Sequence, residues 1–170
     1  MIAINLFLII VLAVCVVTDV KSRKIYNKVI FPSLVIAFIA NFVIYGFSGV
    51  SAALVGFFLG LAILLIPFLL GGMGAGDVKL LAFIGALKGT SFVFITAIYM
   101  AIIGAIIALA IVVFRKGWAK KCLYFLYGKK CGLAVPLIFD KKSLTATYPY
   151  GVAIALGAIF ALVFKELPFL

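Results

Sequence analysis

An all-α, polytopic membrane fold is predicted by three features of the sequence. Of its 170 residues, 68% are hydrophobic and 11% charged, the apolar residues fall in runs near bilayer length, and the basic residues crowd into alternate connections. A hydrocarbon core about 30 Å thick takes roughly 20 helical residues per crossing, so the chain holds about six short transmembrane helices. They form a single membrane-embedded domain over residues 1–170, with one long basic loop over residues 115–147 and no soluble catalytic domain.

The apolar runs are Ile2 to Thr18, Val29 to Tyr45, Val50 to Leu70, Leu80 to Leu87, Thr90 to Phe114 and Tyr148 to Phe164. The first has no basic segment before it and ends at Thr18 and Asp19 rather than at a small-residue cleavage site, so it reads as a retained helix. Lys21, Arg23, Lys24 and Lys28 follow the first run and Lys79 follows the third. Arg115, Lys116, Lys120, Lys121, Lys129, Lys130, Lys141 and Lys142 follow the fifth, which leaves Lys88 and Lys165 for the other side. The positive-inside rule then sets the richly basic side in the cytoplasm and both termini outside.

The fourth run is short, because Val78 to Gly89 spans only about 18 Å as a helix. Were it not to cross, the fifth run would carry the most basic loop outside, against the same rule. It is therefore expected to cross, sheltered by its neighbours and lining a cavity, since backbone breaks at membrane depth survive only where protein or water covers them. In the basic loop, Trp118, Tyr124, Phe125 and Tyr127 alternate with lysines, a pattern suited to the membrane interface and to anionic lipid. The net charge of +11 is thereby assigned to topology and lipid, not to nucleic acid.

The chain has no histidine. This removes serine–histidine and cysteine–histidine nucleophiles and histidine-based zinc sites. Cys15, Cys122 and Cys131 show no C-x-x-C pairing, so neither a zinc ribbon nor a dithiol centre is expected. No cofactor and no metal are called for.

Four acidic residues remain: Asp19, Asp77, Asp140 and Glu166. Asp140 stands beside Lys141, and Glu166 beside Lys165, so solvated ion pairing accounts for both. Asp19 ends the first crossing and Asp77 begins the fourth, which puts both at the cytoplasmic boundary, at one depth. Singly, Asp19 is explained as a polar residue at a helix exit and Asp77 as an N-cap before Val78. Together, two ionisable groups matched in depth point to function. Gly71, Gly72, Gly74 and Gly76 let the backbone break just before Asp77; with no preceding strand and no Walker lysine pattern, a phosphate loop is disfavoured.

Two close carboxylates cannot both ionise cheaply. They share a proton, one serving as base toward water and the other as acid toward a peptide carbonyl or leaving amine, which is aspartic protease chemistry. An ion-coupled transporter or channel subunit also uses a glycine-broken helix and an intramembrane carboxylate. Against it, the sequence has no internal repeat and its acids sit at a boundary, not the midplane. A non-catalytic assembly component and a Ser91–Lys88 protease are the remaining alternatives.

Three blocks, "TDVKSRKIYNKVIFP" (Thr18 to Pro32), "GAGDVKLLAFIGA" (Gly74 to Ala86) and "YPYGVAIALGA" (Tyr148 to Ala158), resemble the type IV prepilin and preflagellin peptidases, membrane aspartic proteases of the G-x-G-D class. The resemblance implies that Asp19 and Asp77 are the catalytic pair and that Gly74, Gly76, Lys79 and Asn27 are supporting motif positions. The chain resembles the small, peptidase-only members serving Flp (Tad-type) pili or archaeal pili and flagella, without the C-x-x-C domain and methyltransferase activity of the large bacterial form. The implied substrate is a prepilin-like or preflagellin-like protein whose short basic leader, preceding an apolar helix, is cut on the cytoplasmic side. A cationic leader is not drawn by a cationic loop, which agrees with assigning that loop to lipid.

Overall fold

The structure, a computed structural model, describes residues 2–114 and 150–166. Five helices run through them: α1 (Ile2–Ser22), α2 (Asn27–Leu69), α3 (Ala75–Lys88), α4 (Thr90–Phe114) and α5 (Tyr150–Glu166). The basic loop expected over residues 115–147 lies outside the described residues, as do Cys122, Cys131 and Asp140. By its contacts the chain divides into one unit of Met1–Ile103 with Pro149–Leu170 and another of Gly104–Tyr148. The helical bundle below belongs to the first.

Among the described residues, three helices are long and apolar enough to cross a membrane: Ile2–Ser22, Asn27–Leu69 and Thr90–Ala110. Their outward faces are apolar as well, with Val43 75%, Phe47 84% and Ile66 67% exposed. An aqueous surface does not tolerate so many such side chains together, whereas hydrocarbon does.

The second and third apolar runs, expected as separate crossings joined by a short loop, form one element with a break. Gly46 adopts φ +65° and ψ −148° inside α2. Along an unbroken helix Phe38 and Phe57 would lie roughly 28 Å apart. Their ring centroids are 6.2 Å apart, so the chain folds back at Gly46 into two arms, residues 27–45 and 47–69. A single residue reverses the chain because glycine accepts positive φ without a Cβ clash.

The second arm buries a row of mostly small residues, Gly49, Ala53, Gly56, Gly60 and Leu64. Against α3 the fit is backbone to backbone. A Cβ on Gly56 would collide with the Gly85 carbonyl, one on Gly85 with the Gly56 carbonyl, and one on Gly60 would fall 2.6 Å from the Leu81 oxygen. Such close approach gives apolar helices dispersion contacts that lipid cannot supply equally well. The first arm adds a polar tie, in which Asn41 Nδ2 donates to Ala86 O at 3.1 Å as well as to Ala37 O at 2.9 Å.

α3 is consequently the core of the bundle. Asp77, Val78 and every residue from Leu80 to Leu87 are buried. The short segment begins at Ala75, earlier than Val78 as the sequence suggested, because Gly74 rather than Asp77 occupies the N-cap. α1 packs on it through Phe7, whose ring meets Phe83 edge-on at 6.1 Å. Gly89, at φ +86°, separates α3 from α4. Farther along, Thr96 and Met100 of α4 lie against the Gly157 backbone of α5, and Tyr99 stacks on Phe164 at 5.9 Å.

Two caps define the ends that matter for the site. α1 stops at an αL residue, Arg23 with φ +52°, whose N–H donates to Asp19 O at 2.8 Å. α2 stops in a Schellman motif: Gly71 takes φ +75°, its N–H donates to Phe68 O and the Gly72 N–H to Pro67 O, both at 2.9 Å. The glycine-rich break thus closes one helix and opens the next.

Candidate active site

Asp19 lies in the last turn of α1 and Asp77 in the first turn of α3, at the same end of the bundle; they are 6% and 8% exposed. Each carboxylate has one oxygen held by a backbone amide. The Gly151 N–H, at the start of α5, donates to Asp19 Oδ2 at 2.9 Å, and the Gly74 N–H donates to Asp77 Oδ2 at 3.2 Å. The other oxygen of each makes no hydrogen bond to a described residue. Ile25 and Asn27, just past the end of α1, meet Gly76 and Lys79 at the start of α3, which sets the two carboxylates at neighbouring helix ends.

Asp77 is the third residue of α3, not its N-cap, so the alternative reading of Asp77 as a cap before Val78 does not hold. The physical reason is that a carboxylate three residues into a helix reaches back to the N-cap amide and satisfies one of the orphan donors from inside. Gly76 lets this turn sit against the α1–α2 connection, since a Cβ there would be 2.8 Å from Ile25 Cβ.

The supporting positions gather at the same end. Lys79 Nζ donates to Asn27 Oδ1 at 3.0 Å and lies 5.3 Å from the centre of the Phe31 ring, so its ammonium bonds to the start of α2 and to neither aspartate. Lys88 is at the opposite end of α3, hydrogen-bonded to Asn5 and over the Phe92 ring at 5.4 Å, with no approach to the acids. Sequence reasoning took no residue from the block around Tyr148 to Ala158, and so missed Gly151. The only signal was the block's resemblance, because a glycine contributes backbone rather than side-chain chemistry.

No three His, Cys, Asp or Glu side chains come together among the described residues in a way that would hold a metal ion. What the arrangement offers is a pair of largely buried carboxylates, each oriented by an amide and each with an oxygen left for reacting groups.

A sequence model described as the type IV leader peptidase family matches residues 6–109, more than half of the chain and including both aspartates. The chain belongs to this family. It is an aspartic-type prepilin peptidase, and with its apolar helices it is a membrane protein. No curated protein and no solved structure matches the peptidase. The family match ends in α4, so the contact between α5 and Asp19 is an observation of this fold alone.

Proposed function

We propose that Asp19 and Asp77 are the catalytic dyad of a leader peptidase that cuts prepilin-like or preflagellin-like precursors at the cytoplasmic face of the membrane. The observation that carries this reading is the burial of two carboxylates, distant in sequence, at one end of the bundle, where the end of α1 and the start of α3 meet. Family membership supports leader cleavage as the reaction.

In the working state one proton is shared by the pair. The ionised partner takes a proton from a water molecule as that water attacks the scissile carbonyl. The protonated partner gives its proton to the developing oxyanion, and the proton taken from water is returned to the departing amine. Burial favours this one-proton state, because a second charge in an apolar surround is costly. The backbone amides hold the two carboxyls in place, which limits the reorganisation needed at the moment of reaction.

The orientation follows from charge. α1, the two arms of α2, α3, α4 and α5 make six crossings in this reading. Lys21, Arg23, Lys24, Lys28 and Lys79 cluster at the end that holds the dyad, and Lys88 stands at the other. The dyad end is therefore cytoplasmic and both termini are outside. A substrate with a basic leader ahead of an apolar helix would present its cleavage site at that depth, while the basic loop engages anionic lipid.

Detergent-solubilised protein incubated with a prepilin-like precursor should yield a leader-shortened product, and Asp19→Asn and Asp77→Asn should not. Substantial cleavage by either well-inserted asparagine variant would overturn the dyad.

A further inference from the structure

We infer that Gly151, at the start of α5, is a positioning residue for Asp19: its amide fixes the orientation of the carboxylate, and its missing side chain is what lets the carboxylate sit there. This rests on the reading of Asp19 as a catalytic residue. Three observations meet at this point. The Gly151 N–H donates to Asp19 Oδ2 at 2.9 Å across a sequence separation of 132, and the contact is buried. A Cβ built on Gly151 would fall 2.7 Å from Asp19 Oδ2, 3.1 Å from Cγ and 3.2 Å from Cβ, so any side chain competes for the volume of the carboxylate itself. The amide belongs to the first turn of a helix, where N–H groups have no intrahelical acceptor and the helix dipole is positive.

The consequence is geometric. With Oδ2 committed to α5, a single oxygen of Asp19 is left for the water and for the proton shared with Asp77. Asp77 is set in the same way by Gly74. The paired amides therefore define which two oxygens face the reacting atoms. Asp19 stands in the last turn of α1, and the hydrogen bond to its carboxylate comes from α5.

The test is Gly151→Ala in full-length protein, compared with Gly157→Ala on the same helix. The Gly157 Cβ would fall 2.8 Å from Met100 N, a contact at a similar distance but with backbone, and remote from the dyad. Correctly folded enzyme is quantified for each variant by thermal denaturation in detergent, and kcat and KM are measured per folded molecule. Gly151→Ala should lower kcat on the order of 100-fold with KM little changed, since a displacement near 1 Å at a reacting group has that effect. Gly157→Ala should lower the folded fraction and leave kcat per folded molecule near that of the parent. Gly151→Pro, which keeps a first-turn residue proline accepts but removes the N–H, should be at least as poor in kcat. If the loss in Gly151→Ala is accounted for by its folded fraction, or if kcat is unchanged, the inference fails. Should the Asp19→Asn enzyme still cut, the dyad reading fails instead, and the two failures are told apart by that variant.

Discussion

Lys79 on α3 hydrogen-bonds to Asn27 at the first residue of α2, Nζ to Oδ1 at 3.0 Å, joining two helices whose contributing residues are far apart in sequence. From sequence the lysine counted both as a topology charge after the third run and, by resemblance, as a supporting motif position. The bond gives it a partner, and the Phe31 ring 5.3 Å from its nitrogen adds a cation–π contact. Both partners are solvent-accessible, so the pair contributes little. A double-mutant cycle of Lys79→Ala and Asn27→Ala, read by thermal denaturation, should give a coupling of about 0.5–1 kcal/mol. Lys79→Arg should keep membrane orientation. Unchanged cleavage by correctly inserted Lys79→Ala would leave the residue with no part in the reaction.

The contact of the second α2 arm with α3 depends on glycine at both Gly56 and Gly85, where an added methyl meets rigid backbone. Gly56→Ala and Gly85→Ala should each destabilise the protein by about 2–3 kcal/mol, the range for overpacking a tight core. Gly104 has open space around the same position. Gly104→Ala should be neutral or stabilise by up to about 1 kcal/mol, because alanine suits a helix interior better. Equal effects at all three sites, in thermal or denaturant unfolding, would contradict the packing.

What the sequence made legible followed from charge and periodicity. The two aspartates could be matched in depth because basic residues mark alternate connections, and Asp19 and Asp77 do lie at one end. The break between Tyr45 and Val50 could be placed, but its reduction to one residue could not, since the φ of Gly46 is set by how both arms pack on α3. The start of α3 was misplaced because aspartate is read as an N-cap, while Asp77 caps from three residues inside. The Lys79–Asn27 bond and the Gly151 amide were out of reach: each joins elements brought together only by tertiary packing, and glycine shows no chemistry in its side chain.

Chelators should leave cleavage intact. The chain has no histidine and four acidic residues in all, two of them beside lysines, so donors for a catalytic metal are scarce. Assays in excess EDTA should match untreated enzyme. Loss of activity restored by zinc would replace acid–base chemistry with metal-assisted hydrolysis.

The dyad makes a stricter demand than the loss of activity on mutating either acid. If one carboxylate is base and the other acid, Asp19→Asn and Asp77→Asn should each lower kcat by at least about 1,000-fold, the scale of general acid–base catalysis. The double variant should be little worse, since residues acting as a unit are not additive. Asparagine still accepts a hydrogen bond through its side-chain oxygen, so the Gly74 contact that opens α3 survives in Asp77→Asn, as does the Gly151 contact in Asp19→Asn. Both proteins should therefore insert and fold, which separates catalysis from capping. The same scheme fixes the pH profile of the parent enzyme. Turnover needs one proton on the pair, so the rate falls on the alkaline side as the remaining carboxyl ionises and on the acid side as both become neutral. A rate that stays flat through the alkaline limb, or a well-folded single asparagine variant that retains substantial cleavage, would mean that the two carboxylates do not share the work.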